Sequence, residues 1–232
     1  SALMVMKHTY GEDQIRKFLK FELDSYLRAR GGDVIDEQPL FKVENQPYIY
    51  YRKGSLVMYR LQDQIGEEAV NRALRKLIAD HAFKGAPYPT TLDFMAALRA
   101  EAPADKQALI TDLFEKITLY DLKTKSAAVK KRADGKFDVT VVVDAQKKYA
   151  DGKGKETNAA LNETMEIGLF TAKPGDKGFA AKNVVLYQRR SIRSGENRFT
   201  FTVDKAPTFA GIDPYNTVID RNSDDNTVKV GG

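Results

Sequence analysis

The chain has no cysteine and only two histidines, His8 and His81, among its 232 residues. The first absence excludes a disulfide framework, a thiolate zinc site, an iron–sulfur cluster and a cysteine nucleophile. The second means that zinc catalysis by two or three imidazoles with an open position would need both histidines together. No run of 18 apolar residues occurs, so no membrane span is expected. Residues 1–8, Ser-Ala-Leu-Met-Val-Met-Lys-His, have no basic stretch ahead of a short apolar one and no cleavage-type ending, and are not expected to be a signal peptide. No HExxH, nucleophile elbow, Walker loop or Rossmann fingerprint is present. Net charge is missing from the first half as well. Residues 1–117 hold 17 of the 37 basic and 17 of the 32 acidic residues, so the remainder, 20 against 15, carries the whole +5.

What is present suffices for a core. The chain is 42% hydrophobic and 30% charged, which argues against disorder as its main state and allows one large domain or two small ones. Apolar spacing over the first half is helical. Ile15, Phe18, Leu19, Leu23, Tyr26 and Leu27 make one stripe, with Gly31-Gly32 expected to end that helix through positive φ. Asp33 to Pro47 has neither period and reads as a long connecting loop, a type often functional. Helix is predicted again over Tyr48–Ile65. A further helix follows Gly66, with Glu67-Glu68 at its positive end and Val70, Ala73, Leu74, Leu77 and Ile78 buried. Thr90 or Thr91 can cap a short helix with Leu92, Met95 and Leu98 on one side. A last helix is expected from about Asp105 to Ile117.

Near residue 118 the period changes to two. Phe137, Val139, Val141 and Val143 alternate behind the Asp134-Gly135 hairpin signal. Met165, Ile167 and Leu169 alternate before a turn at Lys173–Gly178. Val184–Ile192 and Phe199–Val203 flank Ser194–Asn197, read as another hairpin turn. With strands near 118–122, 126–132 and 207–212, about seven short strands predict an antiparallel sandwich of immunoglobulin-like size. The tail from Arg221 reads as polar and loose. The expected organisation is α+β, with a helical domain over 1–117 and a β-sandwich over 118–232.

Most candidate motifs have a plain structural reading. His8 and Glu12 are four apart, but Gly11 intervenes and two ligands are too few. His81 near a helix end suits the dipole there. Gly152-Lys-Gly-Lys155 lies between strands, so it reads as a solvated loop rather than a phosphate cradle. Tyr187, Arg189, Arg190, Arg193 and Arg198 could bind single-stranded nucleic acid, but alternate positions of a sandwich face solvent in any case. The densest aromatic segment is Tyr48-Ile-Tyr-Tyr-Arg-Lys-Gly-Ser55. There one or two tyrosines could be core, and one could direct its hydroxyl into a cleft as an oxyanion donor. Gly54 would then permit close backbone approach.

Tyr51-Arg-Lys-Gly-Ser-Leu-Val57, followed by Leu61, Ile65-Gly66-Glu67 and Ala73-Leu74, resembles a stretch of the aminopeptidase-N-type zinc metallopeptidases (gluzincins). The Thr90-Thr-Leu-Asp-Phe94 helix start fits the same order of elements, and together these cover roughly residues 48–100. Gly211-Ile-Asp-Pro-Tyr-Asn216 and Ile219-Asp-Arg-Asn-Ser-Asp-Asp-Asn226 are similar to the end of bacterial membrane proteins in which an aminopeptidase-like domain follows an ABC-type permease.

The resemblance implies that residues 1–117 are the C-terminal part of a thermolysin-like catalytic domain. It also implies that Tyr51 stabilises the tetrahedral intermediate of peptide hydrolysis. The family's acidic residue after that tyrosine is Arg52 here, and Tyr50 is adjacent. The zinc motif, general base and third ligand would precede Ser1, with the glutamate ligand on a helix continued by Ser1–Met6. The chain is then expected to be a fragment: zinc in the parent protein, none held by this chain, and no peptidase activity alone. The expected partners are a peptide substrate and upstream catalytic and membrane-embedded domains, not nucleic acid. The parent would lie in a bacterial cell membrane with this part extracytoplasmic, the chain itself being soluble. The alternative is a non-catalytic scaffold or partner-binding module of such a transporter-associated protein.

Overall fold

The structure, a computed structural model, describes residues 2–231. It is α+β, with helices in the first half and antiparallel sheets in the second. The helices are α1 (Ala2–Tyr10), α2 (Ile15–Gly32), α3 (Gly54–Ile65), α4 (Glu67–His81), α5 (Thr91–Glu101) and the short α6 (Gln107–Ile110). The strands are β1 (Ile117–Lys131), β2 (Phe137–Ala150), β3 (Glu156–Ala159), β4 (Asn162–Phe170), β5 (Val184–Arg193), β6 (Gly195–Val203), β7 (Phe209–Ile212) and β8 (Thr227–Lys229).

Two compact units result, and their division differs from the expected 1–117 and 118–232. One unit comprises Ser25–Thr118 with Ala150–Lys155. The other takes residues up to Asp24 together with Leu119–Tyr149 and residues from Glu156 on. The division falls within α2: Ile15, Leu19 and Leu23 belong to the sheet unit and Tyr26 to the helical one, and all four are buried.

In the helical unit, Val57 and Leu61 of α3, Val70 and Ala73 of α4 and Met95 and Leu98 of α5 form one core with Leu109, Ile110, Leu113 and Phe114. Burial of each such aliphatic side chain contributes about 1.5–3 kcal/mol. Thr90 caps α5, its backbone N–H donating to Asp93 Oδ2 at 2.7 Å. Four expectations need correction here. Gly31 and Gly32 are the last residues of α2 and neither has positive φ. Of the stripe expected for α4, Leu74 and Ile78 are exposed, as is Leu92 of α5. The predicted helix over Tyr48–Ile65 opens with a π-helical turn, Tyr48–Lys53, before α3. The predicted Asp105–Ile117 helix is α6 followed by a second π turn, Thr111–Glu115, and Ile117 already belongs to β1.

In the sheet unit, two four-stranded sheets share one core. The first joins β1, β2 and β3, with β6 also paired to β2; the second has the order β5-β4-β7-β8. Val139, Val141 and Val143 from the first meet Met165, Ile167, Leu169, Ala210 and Ile212 from the second. Segments 118–122 and 126–132, expected as two strands, are one continuous β1 but for Arg132, whose N–H closes the β1–β2 turn on the Lys136 carbonyl at 2.8 Å. Ser194–Asn197 is not a hairpin turn, because β5 pairs with β4 while β6 pairs with β2. The connection therefore crosses between sheets, and a period of two cannot reveal that. The tail is not loose either: β8 pairs with β7, and Asp220, Ser223 and Asn226 are buried. Gly232, part of the same expectation, lies outside the described residues.

Candidate functional site

The Tyr48–Lys53 turn is wound as a π-helix because the Gly54 N–H reaches back to the Ile49 carbonyl. The extra residue per turn rotates Ile49 and Lys53 inward and Tyr50 and Tyr51 outward. Such turns occur often at functional sites. Tyr51 is 68% exposed, and its ring meets Tyr50 edge-on with centroids 4.8 Å apart. Its carbonyl accepts from Ser55 Oγ at 2.7 Å, which fixes the backbone and leaves the ring to solvent. Gly54 is not required by close packing, since an added Cβ would lie 3.6 Å from the Ile49 carbonyl, an ordinary contact.

Beneath the turn lies a buried ionic network that sequence reasoning missed. Lys53 is 1% exposed and Glu37, from the long loop, 5%. Glu37 Oε1 accepts from Lys53 Nζ at 3.3 Å and from the Tyr26 hydroxyl at 2.5 Å, and Oε2 accepts from Arg30 Nε at 2.5 Å. The Lys53 ammonium also sits 5.4 Å from the Tyr26 ring centroid. Tyr48 stacks on Tyr26 at 6.0 Å. Burial lowers the pKa of Lys53, with Glu37 opposing. Burial and then the Glu37 charge push Tyr26 and Tyr48 well above the ordinary phenol range. These phenols are donors to carboxylates, not bases.

The loop carrying Glu37 is ordered by its own side chains. Gln46, fully buried, donates through Nε2 to Asp33 Oδ2 at 3.0 Å and accepts from the Gln38 N–H at 3.1 Å. The Glu37 N–H donates to the Gly152 carbonyl at 2.8 Å. A Cβ at Gly152 would lie 2.9 Å from the Glu37 carbonyl oxygen and 3.0 Å from the Asp36 Cβ, so only glycine fits. The glycine-rich segment is solvated as expected at Lys153, Gly154 and Lys155, while Gly152 also buttresses Glu37.

The other candidates are placed apart from this site. Gly11, with φ 90°, ends α1 between His8 and Glu12, and Glu12 pairs with Lys7 at 3.2 Å. His81 is the last residue of α4. Among the described residues no three His, Cys, Asp or Glu side chains are placed to hold a metal ion. Arg189 pairs with the buried Glu166 at 2.8 Å, Arg190 lies 5.0 Å from the Phe201 ring centroid, and Tyr187 stacks on Tyr215 at 4.7 Å. These contacts occupy three of the five residues considered for nucleic acid, and Arg198 lies in the other sheet. Among the described residues no helix is long and apolar enough to cross a membrane.

No family model matches the chain, and no curated protein matches it. Among solved structures it is similar to DesR, a beta-glucosidase from Streptomyces venezuelae in complex with D-glucose. The identity is 23%, with 48% of this chain and 15% of that chain covered and a TM-score of 0.22. The chain thus spans a small part of that enzyme, and a likeness at this level carries no argument about function.

Proposed function

We propose that this chain is the C-terminal part of an aminopeptidase-like zinc metallopeptidase, the helical unit closing a thermolysin-like catalytic domain and the sheets forming an immunoglobulin-like sandwich. In that protein Tyr51 donates its hydroxyl proton as a hydrogen bond to the oxyanion that develops when a peptide carbonyl becomes tetrahedral. The observation that carries the reading is the exposed Tyr51 on a π turn whose other side is anchored through Lys53 and Glu37. A donor is useful for catalysis when it needs no reorganisation at the moment of reaction, and a rigid turn provides that. Zinc ligands would come from sequence outside this chain, and the parent would sit in a bacterial membrane.

The test is Tyr51→Phe in the longer protein. Loss of one such donor lowers kcat by about 10²–10³, with KM and zinc content unchanged. Wild-type turnover in the variant would remove Tyr51 from the mechanism. The isolated chain should bind no stoichiometric zinc and cleave no peptide, checked by elemental analysis and aminoacyl-amide hydrolysis.

A second reading, a partner-binding module without catalysis, has one observation in its favour. Leu74, Ile78, Phe83, Tyr88 and Leu92 expose large apolar side chains over one stretch of the helical unit. Normal kcat for Tyr51→Phe, together with lost assembly on Ile78→Asp and Phe83→Asp, would select it.

A further inference from the structure

A continuous run of contacts joins the turn between β2 and β3 to the turn that carries Tyr51. Ala150–Lys155 belongs to the helical unit, although β2 up to Tyr149 and all of β3 belong to the sheet unit. Asp151 braces this turn from within. Its N–H donates to the Lys155 carbonyl at 2.9 Å, and its Oδ1 accepts the Lys153 N–H at 3.0 Å and the Lys155 N–H at 2.8 Å. Bonds from an Asp side chain to the backbone two residues on fix a turn locally. The Gly152 carbonyl of the braced turn accepts the Glu37 N–H at 2.8 Å.

We propose that the Asp151–Lys155 turn is a strut that positions Tyr51, acting through Glu37 and Lys53; this rests on the reading of Tyr51 as the oxyanion donor. Glu37 is the joint. Its backbone is held on Gly152, and its Oε1 accepts from Lys53 Nζ at 3.3 Å, two residues beyond Tyr51 on the same π turn. Tyr26 and Arg30 of α2 hold the same carboxylate, which fixes its direction as well as its place. A second path runs through the loop backbone. Gln46 Oε1 accepts the Gln38 N–H at 3.1 Å, and the Gln46 carbonyl accepts the Ile49 N–H at 2.9 Å. The loop that leaves Glu37 is thereby tied to the start of the π turn.

The first joint has no slack. A Cβ at Gly152 would lie 2.9 Å from the Glu37 carbonyl oxygen and 3.0 Å from the Asp36 Cβ, so an added methyl must push the loop. At the far end, Lys53 is buried and Tyr51 exposed on opposite sides of one turn, so a shift of the first carries the second. The exposed Tyr51 ring takes its place chiefly from that backbone. A misplacement of about 1 Å made far from the chemistry can lower a rate about a hundredfold. Gly152, Glu37 and Lys53 are on this account positioning residues; none of them touches substrate.

The test has two arms. The first measures amide hydrogen exchange in the 232-residue chain. Gly152→Ala should speed exchange at residues 49–54 about tenfold, by easing local opening. Thr90→Ala, which uncaps α5 in the same unit, should leave those amides at the wild-type rate. If Gly152→Ala does not fold, Asp151→Ala on the exposed turn carries the same expectation. The second arm measures turnover in the longer protein. Gly152→Ala should lower kcat about tenfold to a hundredfold with KM unchanged, and should cost nothing further once Tyr51→Phe is present. Lys53→Arg, which keeps the buried cation, should retain most of the rate that Lys53→Met loses. Wild-type exchange at residues 49–54 in the folded variant overturns the strut and leaves the oxyanion reading standing. So does a loss in Gly152→Ala that is fully additive with Tyr51→Phe, or one matched by Thr90→Ala. Wild-type turnover in Tyr51→Phe overturns the oxyanion reading and the proposal with it, whatever the exchange shows.

Discussion

Glu37 in the helical unit and Asp220 in the sheet unit are both carboxyls taken out of water, at 5% and 0% exposure, yet their surroundings are opposite. Glu37 is met by an ammonium, a guanidinium and a phenol. Asp220 is met by backbone N–H groups, an amide and a second carboxylate, and among the described residues no charge of opposite sign forms an ion pair with it. The same desolvation is balanced in one unit by built-in cations and met in the other by a proton. The first arrangement suits a rigid anchor under a turn, the second a site that answers to its solution.

Breaking the balanced site should give the largest effect. Lys53→Met removes the more deeply buried of the two cations that meet Glu37, and removing one partner of a buried pair costs about 3–5 kcal/mol. Urea unfolding followed through the helical unit measures this. The double variant Lys53→Met with Glu37→Leu should recover much of the loss, and strictly additive losses would mean that the two residues are not coupled.

The open site should show itself through pH. The folded value for Asp220, about 7, lies above the unfolded 3.8. The folded state therefore holds an extra proton between these values. Its contribution is fully present below the unfolded value and is lost as pH rises to about 7, a loss of about 4 kcal/mol. Comparing wild type with Asp220→Asn between pH 4 and 8 isolates this group, because the amide cannot titrate. Parallel curves would contradict the assignment.

A smaller effect sharpens the account of the anchor. Gly152→Ala forces a methyl against the Glu37 carbonyl and the Asp36 side chain, at about 1–3 kcal/mol. A neutral result in urea unfolding would show that the loop yields without disturbing Glu37.

These residues also mark where the sequence was legible. The stripe of α2, the Thr90 cap and the alternation of β2 and β4 follow from period and capping chemistry, and the structure has them. Glu37 and Lys53 were not legible, because an isolated charge in a sequence is ordinarily solvated and only the fold brings sixteen-residue neighbours together. Leu74 and Ile78 show the converse: helical spacing marks a face as apolar but does not supply something to cover it. The β5–β6 crossing and the anchored tail depend on which sheet a strand joins, and alternation is silent on that. Tyr51 itself came from resemblance, and the structure adds the turn that presents it.

The most direct measurement compares Tyr50→Phe with Tyr51→Phe in the longer protein, under identical substrate and metal conditions. Both rings are exposed and touch each other, so the comparison separates a chemical role from general disturbance of the turn. The account predicts a fall in kcat of about 10²–10³ for Tyr51→Phe and near-normal turnover for Tyr50→Phe. Equal turnover in the two variants, or a loss confined to Tyr50→Phe, would contradict it.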